Sequence, residues 1–310
     1  MRVLVAGGAG FIGSWLCDKL LENSYSVSCI DNLCTGNEKN ISHLKENKNF
    51  EFIKSDVSNP LSNRGGKIDY IFHLASPASP VDYQKLAVET LLVNSIGTLN
   101  MLKLARKNNA RFLFASTSEV YGNPLEHPQK EDYWGNVNPN GERSMYDEGK
   151  RFGEALCMAY FRKHGMDIRI ARIFNTYGPR MKRDDGRVVS NFINQALENK
   201  PLTVYGDGKQ TRGLCYVSDM VNGLVKFMFA DNLEGEVINL GNPCEKTIVE
   251  IAEGIKKLTN SKSEIIYKAL PADDPEKRCP DICKAKNLLG WQPSVSLEDG
   301  LKNAIEYYRI

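Results

Sequence analysis

The sequence predicts an α/β fold: a doubly wound parallel sheet followed by a smaller C-terminal α/β domain. Three observations carry this. Short apolar runs alternate with longer helical patterns through the first half of the 310 residues, as in βαβ units whose sheet is covered on both faces. The first run passes directly into a glycine-rich turn and a helical pattern, VLVAGGAGFIGSWL. After about Gly178 the texture changes, with frequent Pro and Gly and shorter strand-like runs, as in NKPLTVYGDGKQTRG and LPADDPEKRCPD.

Taken in order, RVLVAGG, SVSCID, FEFIKSDV, DYIFHLA, RFLFAST and DIRIARIF are apolar runs of strand length. SWLCDKLLEN, VETLLVNSIGTLNMLKLARKN and YDEGKRFGEALCMAYFRKHG are the helices between them. Right-handed crossovers place such helices on both faces of the sheet. Residues 1–177 are therefore expected to form the first domain and 178–310 the second. The boundary is interleaved, because EVINLGN is strand-like and able to return to the main sheet.

Composition excludes several function classes. With 40 basic and 38 acidic residues the net charge is +2, so there is no basic field for nucleic acid. The eight cysteines form no C-x-x-C pair and none of the four histidines lies close to a cysteine pair, so no metal site is expected. Most cysteines sit in apolar segments, the setting of reduced, core-filling thiols. The first apolar run is too short for a membrane span and lacks signal-peptide architecture. The expectation is a soluble cytoplasmic protein without a membrane partner.

The glycine turn points to a nucleotide. Gly7, Gly10 and Gly13, with Phe11 and Ile12 between the last two, lie between a strand and a helix. Glycines there allow a tight turn and close backbone approach, while the helix N-terminus offers free N–H groups to a pyrophosphate. Alone, such a triplet is an ordinary turn. Here Asp31, followed by Asn32, ends the next strand eighteen positions after Gly13. A carboxylate at that place accepts bonds from an adenosine ribose and repels a 2′-phosphate, which favours NAD over NADP. The expected cofactor-binding set, within a Rossmann-type sheet, adds Asp56 and Val57 after the third strand and Leu74 and Ala75 after the fourth.

Two further stretches suggest hydride-transfer chemistry. SMYDEGKRFGEAL holds Tyr146 and Lys150 four positions apart on one helix face. An ammonium beside a phenol favours the phenolate and lowers its pKa toward neutrality. STSEVYG supplies Thr117, Ser118 and Glu119 at the end of a strand. Thr117 is expected to hydrogen-bond a substrate hydroxyl while Tyr146 removes its proton and Lys150 also holds the cofactor ribose.

These motifs, together with HLASPASP, RIARIFNTYGPRMKRDDGRVVSNF, PLTVYGDGKQTR and DDPEKRCPDICKAKNLLGW, run nearly the whole length. The chain resembles the extended short-chain dehydrogenase/reductases that act on nucleotide sugars, and within them the UDP-glucuronate decarboxylase branch, for which YWGNVNP is distinctive. The resemblance implies oxidation at C4 of UDP-glucuronate, loss of the C6 carboxylate from the resulting β-keto acid, and re-reduction to UDP-xylose. It implies a C-terminal substrate-binding domain, with Asn175, Arg187, Arg212 and Arg278 contacting the nucleotide diphosphate and Tyr205 walling the uracil. It implies a homodimer through a four-helix bundle, formed by the helices around Leu91–Lys107 and Tyr146–Lys163. Where related 4,6-dehydratases carry Asp, this chain has Ser118, a poor acid for expelling water. Glu119 is left to handle a proton at C5 or to position the ring. One departure is Gly213-Leu214, where the decarboxylases carry a small residue and Phe. A UDP-glucuronate 4-epimerase, or another enzyme forming a 4-keto sugar, is the alternative. A non-catalytic dinucleotide sensor is a remote one, since both Tyr146 and Lys150 are present.

Overall fold

The computed structural model describes residues 1–60, 66–270 and 277–309; residues 271–276 of LPADDPEKRCPD thus lie outside the described residues. Strand β1 (Arg2–Ala6) is flanked by β2 (Ser26–Asp31) and β4 (Tyr70–His73). β3 (Phe50–Lys54) lies outside β2, while β5 (Arg111–Thr117), β6 (Ile168–Ile173) and the edge strand Val237–Leu240 continue beyond β4. All pairings in this seven-stranded sheet are parallel. The strand order reverses between β1 and β4, the switch point at which a crevice opens at the carboxyl ends of the strands.

Side-chain alternation explains why the strands read as continuous apolar runs. On one face Val3, Val5 and Leu113 meet Leu16 and Leu20 of the helix Phe11–Glu22 and Met220 and Leu224 of the helix Val217–Phe229. On the other, Leu4, Phe112 and Phe114 meet Met101 and Leu102 of the helix Thr98–Asn108 and Cys157 of the helix Ser144–His164. The chain therefore forms an α/β/α layered, doubly wound fold.

Two elements differ from expectation. FEFIKSDV pairs only over Phe50–Lys54: the Ser55 N–H makes the last ladder bond, to the Asp31 carbonyl at 3.1 Å, and the chain then turns at Asp56, whose carboxylate accepts the Ser58 N–H at 2.7 Å. The expected helix across 88–108 is interrupted by a π-helical turn, Val93–Gly97, between Ala87–Leu92 and Thr98–Asn108. There the Asn94 amide donates to the Thr90 carbonyl and to Ser76 Oγ, each at 2.9 Å, and such turns recur at functional sites.

Above the crevice sits a cap. Thr211–Gly213 is the middle strand of a three-stranded sheet, flanked by Glu245–Thr247 and Lys277–Arg278. A two-stranded ribbon joins Leu202–Tyr205 to Ile265–Lys268. Helices Val188–Leu197, Ile248–Thr259 and Leu297–Arg309 pack together beneath these strands' loops. Among the described residues no helix is long and apolar enough to cross a membrane.

Candidate active site

A single cleft of about 1560 Å³ runs between the sheet and the cap, and every site residue named from the sequence lines it. A pocket for one drug-sized ligand is roughly 300–1,000 Å³, so this cleft has room for a dinucleotide and a nucleotide sugar together.

The dinucleotide half is built by close approach. Gly7 has φ +81°, and a Cβ there would stand 2.8 Å from the Leu74–Ala75 backbone. A Cβ on Gly13 would stand 2.1 Å from the Gly7 carbonyl oxygen. Glycine at both places lets the turn fold under the N-terminus of the helix Phe11–Glu22, whose first turn has neither a side-chain cap nor an acidic residue. Its N–H groups are left for an anion. Asp31 is buried and accepts the Ala9 N–H at 3.0 Å and the Leu33 N–H at 2.8 Å. Burial raises its pKa and those two bonds oppose the rise; each oxygen keeps a further lone pair for a hydroxyl. The Asn32 amide donates to Asp56 at 2.9 Å. Burial opposes the charge on Asp56, but the Ser58 N–H and Asn32 outweigh it and hold the carboxyl below its usual range. The residues present thus fit a dinucleotide: a glycine cradle, a free helix end and a ribose-side carboxylate.

Thr117, Tyr146 and Lys150 converge at the middle of the cleft. Lys150, only 3% exposed, donates to the Ala115 carbonyl at 2.8 Å, with its Nζ 4.9 Å from the Phe114 ring centre and 5.9 Å from that of Tyr146. The expectation that Lys150 draws Tyr146 toward neutrality is corrected here. Burial pushes the phenol up to about 12 against a hydrogen bond with Thr117, and burial lowers Lys150 to about 7. Both groups are buried, and desolvation is the largest contribution to each shift.

The Ser118–Glu119 corner is an ion-pair cluster. Glu119 bonds both Arg143 and Arg278. Burial opposes its charge, but the two guanidinium groups hold it down at about 2. It is therefore ionised at neutral pH and a weak base, which removes proton handling from its expected roles and leaves positioning. Arg278, 2% exposed, also lies 3.4 Å from Ser118 Oγ and donates to the Gly122 carbonyl at 2.8 Å. It belongs to this corner through bonds spanning more than 150 residues of chain. Arg187 gives a two-pronged pair to Asp185, at 2.5 and 2.7 Å. Asn175 presents a buried amide nitrogen with no hydrogen-bond partner among the described residues. Tyr205 is partly exposed on the cleft wall, and Arg212 donates to the Thr211 carbonyl at 2.9 Å. At the departure, Leu214 is buried along the cleft.

Sequence reasoning missed three residues here. The Tyr83 ring stacks on Tyr146 with centres 5.0 Å apart. Arg143 sits 5.9 Å over Tyr83 while holding Glu119. Asp147 is buried with one carboxylate oxygen unbonded. Arg143 and Asp147 are close in sequence to Tyr146, the one signal available; for Tyr83 there was none.

The family model described as GDP-mannose 4,6 dehydratase matches residues 4–304. UDP-glucuronic acid decarboxylase 1 of Xenopus tropicalis is 54% identical over 308 residues, covering 99% of this chain and 72% of that protein. UDP-glucuronic acid decarboxylase 5 of Arabidopsis thaliana is 55% identical over 311 residues, covering 100% and 90%. Among solved structures, UDP-glucuronic acid 4-epimerase from Bacillus cereus, in complex with UDP-glucuronic acid and NAD, superposes with a TM-score of 0.90 at 34% identity, covering 100% of this chain and 99% of that one.

Proposed function

The chain belongs to the GDP-mannose 4,6-dehydratase family, in company with the UDP-glucuronic acid decarboxylases, and from that membership we propose that it converts UDP-glucuronate to UDP-xylose. The same proposal takes NAD as cofactor, a homodimer as the working form and the cytoplasm as its location. The reaction is oxidation at C4, decarboxylation of the β-keto acid, protonation at C5 and reduction at C4.

Bound NAD supplies an acceptor that takes a hydride from C4 and later returns it, and brings a positive charge to the Tyr146–Lys150 pair. Gly7, Gly10, Phe11, Ile12 and Gly13 would hold its pyrophosphate, Asp31 and Asn32 its ribose and Asp56 and Val57 its adenine side, with Leu74 and Ala75 backing the Gly7 turn. Thr117 orients the C4 hydroxyl, and the Tyr146 oxygen takes its proton. To take that proton Tyr146 must act as the phenolate, a form that neighbouring positive charge favours, and in the reverse step the phenol gives the proton back to the C4 oxygen. Once C4 is a ketone, the C6 carboxylate leaves as carbon dioxide, its bonding electrons passing into a C4–C5 enolate. Asn175, Arg187, Arg212 and Tyr205 hold the UDP half, arginine suiting phosphate by its planar fork.

The observation that carries the reading is the corner of Ser118, Glu119 and Arg278. Ser118 is no acid, and Glu119 is held ionised by two arginines. Neither can protonate a departing C6 hydroxyl at neutral pH, so dehydration lacks its acid, while loss of carbon dioxide needs none. Incubation with UDP-glucuronate and NAD, followed by NMR of the sugar, tests the proposal. UDP-xylose is expected; accumulation of UDP-galacturonate, the 4-epimer, or unchanged substrate overturns it.

A further inference from the structure

Three residues remote in sequence meet beside the three-stranded cap sheet: His127, Glu245 and Cys279. Nε2 of His127 lies 2.9 Å from Oε2 of Glu245, and a ligand atom of each of the three residues lies within 4.8 Å of the others. The fold holds them there by specific contacts. Glu245 is paired in register with Gly213. At Gly213 a side chain would place Cβ 1.9 Å from the Asn242 carbonyl oxygen, so glycine admits the turn that carries Glu245. The Asn242 amide secures that turn to the Leu214 carbonyl at 3.0 Å. Cys279 is tied to the loop of His127 by two bonds: its N–H donates to Gln129 Oε1 and the Gln129 N–H donates to its carbonyl, each at 2.9 Å.

We propose that His127, Glu245 and Cys279 form a binding site for a zinc-class divalent cation, with a fourth position open to water. An imidazole nitrogen, a carboxylate oxygen and a thiolate sulfur suit Zn²⁺ and are the wrong set for Mg²⁺ or Ca²⁺. With Zn–N near 2.0 Å and Zn–S near 2.3 Å, ligands around a tetrahedral ion stand roughly 3.3–3.8 Å apart. The widest pair here needs to contract by about 1 Å to reach that geometry. Glu245 already has an outer partner, since the Thr211 hydroxyl bonds its Oε1. That contact orients the carboxylate and leaves Oε2 for the ion. The His127–Glu245 hydrogen bond is given up on binding, and the thiol proton passes to solvent as the sulfur–metal bond forms. Because the thiol gives up its proton on binding, affinity rises with pH. The ion joins the His127 loop, the strand Glu245–Thr247 and the residue next to Arg278, and so stiffens the backing of the Ser118–Glu119 corner without touching it.

The test uses the full chain, stripped with a chelator and titrated with Zn²⁺ alone by calorimetry. One ion per chain is expected, with proton release and a raised melting temperature. Co²⁺ in its place gives a thiolate-to-metal charge-transfer band. His127→Gln and Cys279→Ser each weaken uptake by about tenfold or more, and Cys279→Ser loses the band, whereas Cys34→Ser changes neither. Melting without metal verifies that each variant folds. No stoichiometric uptake by the parent chain, or uptake undiminished in either His127→Gln or Cys279→Ser, overturns the proposal.

Discussion

Tyr146 and Lys150 stand at the spacing that their chemistry requires, yet the fold drives their proton affinities apart, the phenol up to about 12 and the ammonium down to about 7. Tyr146→Phe keeps the ring and its stack on Tyr83, so cofactor binding is expected to survive while kcat/KM falls by about 10²–10⁴. Tryptophan-fluorescence titration with NAD, beside the product assay, separates the two effects; unimpaired turnover would remove Tyr146 from its role. Glu119 makes the second residue-scale case. Glu119→Gln removes the charge that balances Arg143 and Arg278 in a buried corner. Loss of one partner of such a pair costs roughly 3–5 kcal/mol, and kcat is expected to drop about 100-fold as the corner loses its positioning. Denaturant unfolding and steady-state kinetics on one preparation check both. Equal stability would mean the arginines find solvent or another anion.

At the scale of an element, the helix Ser144–His164 carries Tyr146 and Lys150 toward the cleft and also buries Asp147. Burial, then the negative charge of Glu119, push Asp147 up to about 7 against the opposing pull of Arg143 and Arg278. The sign for stability follows. Between the unfolded value, about 3.9, and about 7, the folded chain holds a proton that the unfolded chain has released. Stability from this group therefore falls as pH rises through that window, and the full penalty is present above it. Asp147→Asn is expected to gain about 1–3 kcal/mol at pH 8 and little at pH 4. Melting curves of both proteins across that range decide it, and a pH-independent difference would refute the assignment. The helix itself was legible from its 3.6-residue pattern, as was the glycine turn with its following helix. The π-helical turn was not, because it depends on Ser76 accepting a bond from Asn94 across 18 residues.

For the whole molecule, the helices Ala87–Leu92 and Ser144–His164 pack together within the subunit and still turn apolar side chains outward. Val88 is 65% exposed and Phe152 51%, with Leu91, Leu92 and Ile96 also exposed on the first helix and its π-helical continuation. A face of this kind on a single chain calls for a partner, and two such helix pairs make the four-helix bundle proposed for the homodimer. Leu91→Glu with Phe152→Glu is expected to give a monomer. Size exclusion with light scattering at low micromolar concentration reads the mass, and a parent chain running as a monomer sinks the dimer.

The sequence by itself determined what depends on near neighbours. The alternation of β and α runs, the Gly7–Gly10–Gly13 turn with Asp31 one strand on, and Tyr146 four positions before Lys150 each lie within one or two consecutive elements. There, spacing is geometry. Only the tertiary structure decided that Arg278 closes on Ser118 across 160 positions, that Glu119 is clamped between two arginines, and that Tyr83 stacks on Tyr146. It also decided the proton affinities, because desolvation and charge separation exist only once the chain has folded and water has left the cleft walls. The same holds for His127, Glu245 and Cys279, whose separations in sequence carry no metal-ligand spacing and whose side chains meet only in the assembled cap.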